Sequence, residues 1–258
     1  MPTKTGYAPG TFCWVELATS DAKGANDFYT KLFGWDVEDS DVPGGGVYST
    51  FRINGQSVCG GNQQQEEEAK AGIPSHWNSY ISVEDVDQTA KAAEAAGATV
   101  VAPPFDVMEL GRMAVLSDPT NAFVCLWQPG IHFGAQIVTE DNAFSWNELS
   151  TKDSARAKEF YTEVFGWDTT EMDAPNGTYT MFKNGDDWAA GMMQMQDVPS
   201  HWLVYFQVAD AATTAAKAKE LGGQVMMGPD KAGGVGTIAV LLDPQGAAFG
   251  VIQPERQP

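Results

Sequence analysis

The sequence predicts an α+β fold of two tandem domains, each holding two βαβββ modules, and three observations lead there. The first is an internal repeat. Residues 12–36, FCWVELATSDAKGANDFYTKLFGWD, return as residues 144–168, FSWNELSTKDSARAKEFYTEVFGWD, with 14 of 25 positions identical. The second is that the repeat continues. Pro74-Ser75-His76-Trp77 returns as Pro199-Ser200-His201-Trp202, and Asp118-Pro119 as Asp243-Pro244. The spacing falls from 132 to 125 on the way, so the second copy is seven residues shorter between its helix and its His-Trp pair. A period of that size is a whole domain rather than a solenoid unit. The third is the chain length of 258 residues, which accommodates two domains of ordinary size. The domains are placed at 8–130 and 140–258, joined by a segment from Pro129-Gly130 to Asn142.

Each element follows from local pattern. Phe12–Ala18 mixes aromatic and β-branched residues and reads as a strand. Asp21, Thr19 or Ser20 can cap the helix that follows. In it Ala25, Phe28, Tyr29, Leu32 and Phe33 make one apolar stripe at three- and four-residue spacing, ended by Gly34. Ala157, Phe160, Tyr161, Val164 and Phe165 repeat the stripe, ended by Gly166. Strands are expected at Tyr48–Ile53 and Gln56–Gly60 around an Asn54-Gly55 turn, and Gln63–Lys70 is expected to be a solvated turn. The order then begins again. His76–Val83 is a strand and Asp85–Ala96 a helix closed by Gly97. Strands follow at Thr99–Ala102, Arg112–Leu116 and Ala122–Trp127.

Composition narrows the function. With 34 acidic against 15 basic residues the formal net charge is −19, which repels phosphate backbones and anionic lipid. No nucleic-acid or membrane partner is therefore expected. Three cysteines, none within three residues of another, suggest neither a disulfide framework nor a CxxC site. The first residues lack the apolar core of a signal peptide, so a cytoplasmic location is expected. Gly44–Gly46 and Gly233–Gly236 lack the flanking residues of a phosphate-binding loop and read as loops beside a site.

A strand, then D-x6-FY-x3-FGW on a helix (Asp21, Phe28-Tyr29, Phe33-Gly34-Trp35), then V-x-D at a helix start (Val83, Asp85) and D-P-x-[GN] before a final strand resembles the vicinal-oxygen-chelate superfamily. That superfamily holds glyoxalase I, extradiol dioxygenases and bleomycin-resistance proteins. The duplication is similar to its tandem, two-domain glyoxalase-like members of the type labelled hydroxylases. The resemblance implies that the two modules of a domain pair so that their curved sheets enclose one cleft. In catalytic members it implies a divalent metal held from the first and last strands of both modules. The corresponding residues are Trp14, Asn78, Cys125 and a position near Gly60 in domain one, and Trp146, Leu203, Gly250 and about Gly191 in domain two. These lack the His/Glu set such a metal requires; no metal and no cofactor is expected.

Other residues on those strands carry the chemistry that is left. Glu16 and Glu148 share a face with Trp14 and Trp146; as desolvated acids they are candidate general bases or structural braces. A local two-fold relating positions 14 and 78 sets His76 opposite Glu16, and one relating 146 and 203 sets His201 opposite Glu148. The expectation is one Glu–His pair per cleft, serving as proton-transfer dyad, poor metal site or structural ion pair. Trp14, Asn78, Tyr80, Cys125, Trp146, Leu203 and Tyr205 are the candidate ligand-lining residues, suited to a flat, apolar or aromatic molecule. Trp35, Trp167, Trp77 and Trp202 are expected in the core, and His132 in the linker without a partner. Two functions stay open: a metal-free binder of a small molecule, or a glyoxalase-like lyase or isomerase, hydroxylase or dioxygenase using Glu16 or Glu148 as base or an atypical metal site. A fused pair of domains forms a pseudo-two-fold within one chain, so a monomer or a homodimer is expected.

Overall fold

A computed structural model describes residues 3–42, 45–174 and 177–255. Pro43 and Gly44 of the first glycine-rich segment, and the last three residues of the second domain's range, lie outside them.

The first half comprises β1 (Phe12–Thr19), α1 (Ala22–Phe33), β2 (Asp36–Asp41), β3 (Val47–Ile53), β4 (Gln56–Gln63), α2 (Glu66–Lys70), β5 (His76–Ser82), α3 (Val86–Ala95), β6 (Thr99–Val107), β7 (Gly111–Ser117) and β8 (Phe123–Pro129). The second repeats it without the short helix: β9 (Phe144–Thr151), α4 (Ser154–Phe165), β10 (Asp168–Ala174), β11 (Gly177–Asn184), β12 (Asp187–Gln194), β13 (His201–Gln207), α5 (Ala211–Glu220), β14 (Gln224–Ala232), β15 (Gly236–Leu242) and β16 (Ala248–Pro254). Each half forms one eight-stranded sheet, ordered β2-β3-β4-β1-β5-β8-β7-β6 and β10-β11-β12-β9-β13-β16-β15-β14. The two modules of a domain meet where β1 pairs antiparallel with β5, and β9 with β13.

Two sequence readings need correction. The acidic stretch expected to be a turn contains α2, and it accounts for most of the length difference, since domain two runs from β12 to β13 without it. The strands β2 and β10 went unread because every residue of β2 is exposed. A sheet-edge strand with solvent on both faces carries no apolar alternation, and its charges guard the edge against pairing with another chain.

The helix stripes bury as their spacing requires. Asp21 and Asp153 cap α1 and α4 by accepting from the backbone three residues on, and Gly34 and Gly166 end them in the left-handed conformation. The buried faces do not pack only within their own domain. Phe28 and Tyr29 of α1 pack edge-on against Phe249 of β16, and Phe33 lies tilted against Phe206 of β13. One apolar core thus runs through both domains, with Trp35, Trp77, Trp167 and Trp202 inside it.

Polar links lock this interface in pseudo-symmetric pairs. The Tyr29 hydroxyl donates to Asp243 Oδ2 (3.0 Å) and accepts from Trp77 Nε1 (3.0 Å). Its counterpart Tyr161 donates to Asp118 Oδ2 (2.9 Å) and accepts from Trp202 Nε1 (2.8 Å). The same aspartates hold the Asp-Pro turns, Oδ1 of Asp118 accepting from the Thr120 and Ala122 amides and Oδ1 of Asp243 from those of Gln245 and Ala247. Each repeated Tyr therefore reaches the repeated Asp of the other domain. With the helices and the partner domain on one side, each sheet is left a helix-free face on the other. Among the described residues no helix is long and apolar enough to cross a membrane.

Candidate functional site

On the helix-free face of the first sheet, Trp14 lies opposite Tyr80, Glu16 opposite both Asn78 and Gly60, and Tyr80 opposite Cys125. Residues opposite one another share a face, so the sequence placed these side chains on the correct side. Register is another matter. His76 lies opposite Ala18, and Glu16 opposite Asn78; in domain two His201 meets Ser150, and Glu148 meets Leu203. The expected cross-strand pairing is therefore displaced by two residues in both domains. A two-residue slip preserves the face, so side-chain alternation alone does not detect it. His76 Nδ1 donates to the Pro74 carbonyl and His201 Nδ1 to that of Pro199, both at 2.8 Å. No hydrogen bond joins either histidine to its glutamate among the described residues, although each imidazole acts on its glutamate's charge from a distance.

The partners of the glutamates are tyrosines. Glu16 Oε2 accepts from the Tyr48 hydroxyl at 2.8 Å, and its Oε1 accepts from Tyr80 at 3.2 Å and Asn62 Nδ2 at 3.1 Å. Trp14 Nε1 donates to the Tyr48 oxygen (3.0 Å), which commits the tyrosine proton to the carboxylate. Domain two repeats the chain. Trp146 Nε1 donates to Tyr179 (3.3 Å), Tyr179 donates to Glu148 Oε2 (2.8 Å), and Tyr205 donates to Oε1 (3.2 Å). Tyr48, Tyr179 and Asn62 escaped the sequence reading. The available signal was that Tyr stands three residues before the buried Phe51 and Phe182 in both copies.

Glycine makes this geometry feasible. A Cβ on Gly60 or Gly191 would overlap the Tyr48 or Tyr179 hydroxyl, and one on Gly250 would overlap the Tyr205 ring. Each tyrosine of β3 and β11 thus crosses over the intervening strand to reach the central glutamate.

Burial raises both glutamates above the usual carboxylate range, against the lowering effect of the tyrosine hydrogen bonds, of Asn62 for Glu16, and of the His76 and His201 charges. The acid form is thus favoured more in the folded than in the unfolded chain. Stability contributed by such a group is full below the ordinary glutamate pKa and is lost as pH rises through the raised value. We expect Tm of the wild type to fall relative to Glu148→Gln, and to Glu16→Gln, as pH rises from about 4 to about 8. Thermal melts across that range check it; a constant or opposite difference would refute the assignment.

The two clefts differ in how they are covered. In domain one the linker and the N-terminal segment fold over the face. The Ala135 amide donates to the Cys13 carbonyl, Tyr7 donates to the Ala135 carbonyl (2.6 Å), and Trp127 Nε1 donates to the His132 carbonyl (2.8 Å). The His132 ring stands edge-on to Trp14 with centroids 4.7 Å apart, and also meets Trp127. His132, expected to be without a partner, is part of a plug, and Trp14 beneath it is only 4% exposed. Cys125 is buried there, its thiol pushed up by burial, so it is protonated at neutral pH and no nucleophile. In domain two Trp146 and Ile252 are partly exposed where their counterparts Trp14 and Trp127 are buried; Met181, Met193, Ile238 and Val240 on the same face are partly exposed, as are their counterparts Thr50, Asn62, Met113 and Val115. Leu203 and Tyr205 form its buried floor.

The metal-ligand positions of the resemblance do not fit a divalent metal. The indoles of Trp14 and Trp146 offer no lone pair, Gly60, Gly191 and Gly250 offer no side chain, and tyrosines fill the space beyond these glycines. The carboxylates nearby accept from hydroxyl and amide donors. Among the described residues no three His, Cys, Asp or Glu side chains come together as a metal site.

Comparison with known proteins agrees with the fold. The model of the Glyoxalase/Bleomycin resistance protein/Dioxygenase superfamily matches residues 11–126 and again 143–251. The chain is 44% identical over 261 residues to "Putative glyoxylase CFP32" of Mycobacterium tuberculosis, covering 100% of both chains. It is 34% identical over 262 residues to the anthracycline biosynthesis protein DnrV of Streptomyces peucetius, covering 96% of this chain and 95% of that one. The Mn(II)-bound glyoxalase from Novosphingobium aromaticivorans superposes with a TM-score of 0.68 at 15% identity, over 95% of this chain and 82% of that one. The 2,3-dioxygenase LapB from Pseudomonas sp. KL28 superposes at 0.66 and 14% identity, over 96% and 93%. Two eight-stranded sheets of paired modules, each matched by the same family model, make this chain a tandem member of the glyoxalase/bleomycin resistance protein/dioxygenase superfamily.

Proposed function

We propose that the chain binds a flat, apolar or aromatic small molecule in the cleft of its second domain, without a metal. The asymmetry between the two clefts carries this reading. The first is covered by Tyr7 and His132 of the chain itself. The second leaves Trp146 and Ile252 partly exposed beside Glu148, where the first buries their counterparts Trp14 and Trp127. Aromatic and thioether side chains on one sheet face suit a planar ligand and adapt to its outline. The relative named for anthracycline biosynthesis, 34% identical over nearly all of both chains, supports a fused-ring compound as ligand class. In this reading the chain acts as a monomer or homodimer in the cytoplasm, away from nucleic acid and membrane.

The raised pKa of Glu148 favours a second reading, in which a bound acidic C–H or O–H loses its proton to this group. Calorimetric titration of the full chain with planar phenols and quinones, followed by the same with Glu148→Gln, tests both. We expect one molecule bound per chain. Both readings keep affinity within about tenfold in the variant; chromatography of the titrated mixtures separates them, since a binder returns the ligand unchanged and an enzyme converts it in the wild type and loses that turnover in Glu148→Gln. Two equivalents per chain, or stoichiometric stabilisation by Mn, Fe, Ni or Zn, would overturn the proposal.

A further inference from the structure

The two glutamates differ by one hydrogen bond. Glu16 Oε1 accepts two, from Tyr80 and from Asn62; Glu148 Oε1 accepts one, from Tyr205, among the described residues. The cause is a single substitution at an equivalent place. Asn62 lies opposite Tyr48 and next to Ala18 across β3, β4 and β1, and Met193 lies opposite Tyr179 and next to Ser150 across β11, β12 and β9. Where domain one supplies an amide donor to its own carboxylate, domain two supplies a thioether. Across the sheet, Asn78 opposite Glu16 is likewise replaced by Leu203 opposite Glu148. Both changes remove a polar group beside the acid, and neither removes the acid.

An oxygen of the ionised carboxylate has two lone pairs, and a partly buried acceptor gains from a second donor. In the first cleft the chain gives this oxygen two donors, Tyr80 and Asn62; in the second, among the described residues, it gives one, Tyr205, and leaves a lone pair open. We propose that the ligand of domain two carries an O–H or N–H donor, and that this donor takes on Glu148 Oε1 the place that Asn62 holds on Glu16. The inference rests on the second cleft being the ligand site. It narrows the ligand to planar phenols, hydroxyquinones and aryl amines. Ethers and hydrocarbons of the same outline bring no proton, and an ether oxygen sets a lone pair against a lone pair. Sites built to hydrogen-bond a ligand group reject analogues without it far more strongly than apolar pockets reject a missing methylene.

The test is titration of the full chain with 2-naphthol and with 2-methoxynaphthalene. 2-Naphthol is expected to bind at least about tenfold more tightly. Met193→Asn, which restores the internal donor, is expected to bring the 2-naphthol to ether affinity ratio down by about tenfold, to near one, whatever it does to both affinities in common. Met193→Leu, which changes shape without adding a donor, should keep the ratio between the two probes. Equal affinity of the wild type for both probes overturns the inference, as does an undiminished ratio in Met193→Asn or an equal fall of the ratio in Met193→Leu. If neither probe binds the wild type, the parent reading falls and this one with it; binding of both without preference removes only the donor.

Discussion

Asp243→Ala is expected to destabilise the chain by about 3–5 kcal/mol, because one carboxylate holds both a turn and a domain interface. Its Oδ1 accepts from the amides of Gln245 and Ala247, and its Oδ2 from Tyr29 of the other domain. Truncation leaves these donors without their acceptor, and Tyr29 is fully buried. For a chain of this size the shift in Tm is about 10 °C. Asp243→Asn keeps one acceptor oxygen for the turn and should lose roughly half as much. Asp118→Ala, acting through Tyr161, should match Asp243→Ala, since the second network repeats the first. Differential scanning calorimetry checks all three. A loss below about 1 kcal/mol, or a first domain that melts independently of Asp243, would show that the interface is not what these aspartates hold.

Gly191→Ala should damage the second cleft without touching the carboxylate. The new methyl group would overlap the Tyr179 hydroxyl, so the ring must turn away and gives up its bonds to Trp146 and Glu148. Two hydrogen bonds, one of them charge-assisted when Glu148 is ionised, amount to about 2–4 kcal/mol. A displaced ring also obstructs the cleft, and ligand affinity should fall by more than about tenfold. Coupling supplies the control. In a Tyr179→Ala background the methyl group meets no hydroxyl, so Gly191→Ala should cost far less there than in the wild type. Additive losses in urea denaturation would place the effect in the strand backbone and refute the steric account.

Much of this molecule was legible before any coordinates. The repeated stripe of Phe28, Tyr29 and Phe33 gave two helices and their buried faces, and the alternation of Trp14 and Glu16 put both on the helix-free side. The exposed strand β2 was not legible, because burial is what writes alternation into a sequence and this strand has none. Nor was the pairing of Glu16, because alternation has a period of two and cannot distinguish a register from one two residues away. The candidate pair with His76 failed for that reason, and Tyr48 took its place by crossing over Gly60, a contact between strands that no local pattern encodes.

The sequence alone determined the duplication, the α+β modules and the family. These depend on residue identity and on short-range periodicity, which survive without knowledge of the fold. Tertiary structure decided which Asp meets which Tyr, which tyrosines hold the glutamates, and that Tyr7 and His132 cover Trp14 while Trp146 is left partly exposed among the described residues. Those outcomes depend on how two sheets and a linker dock, a matter of long-range packing between residues as far apart as Tyr29 and Asp243.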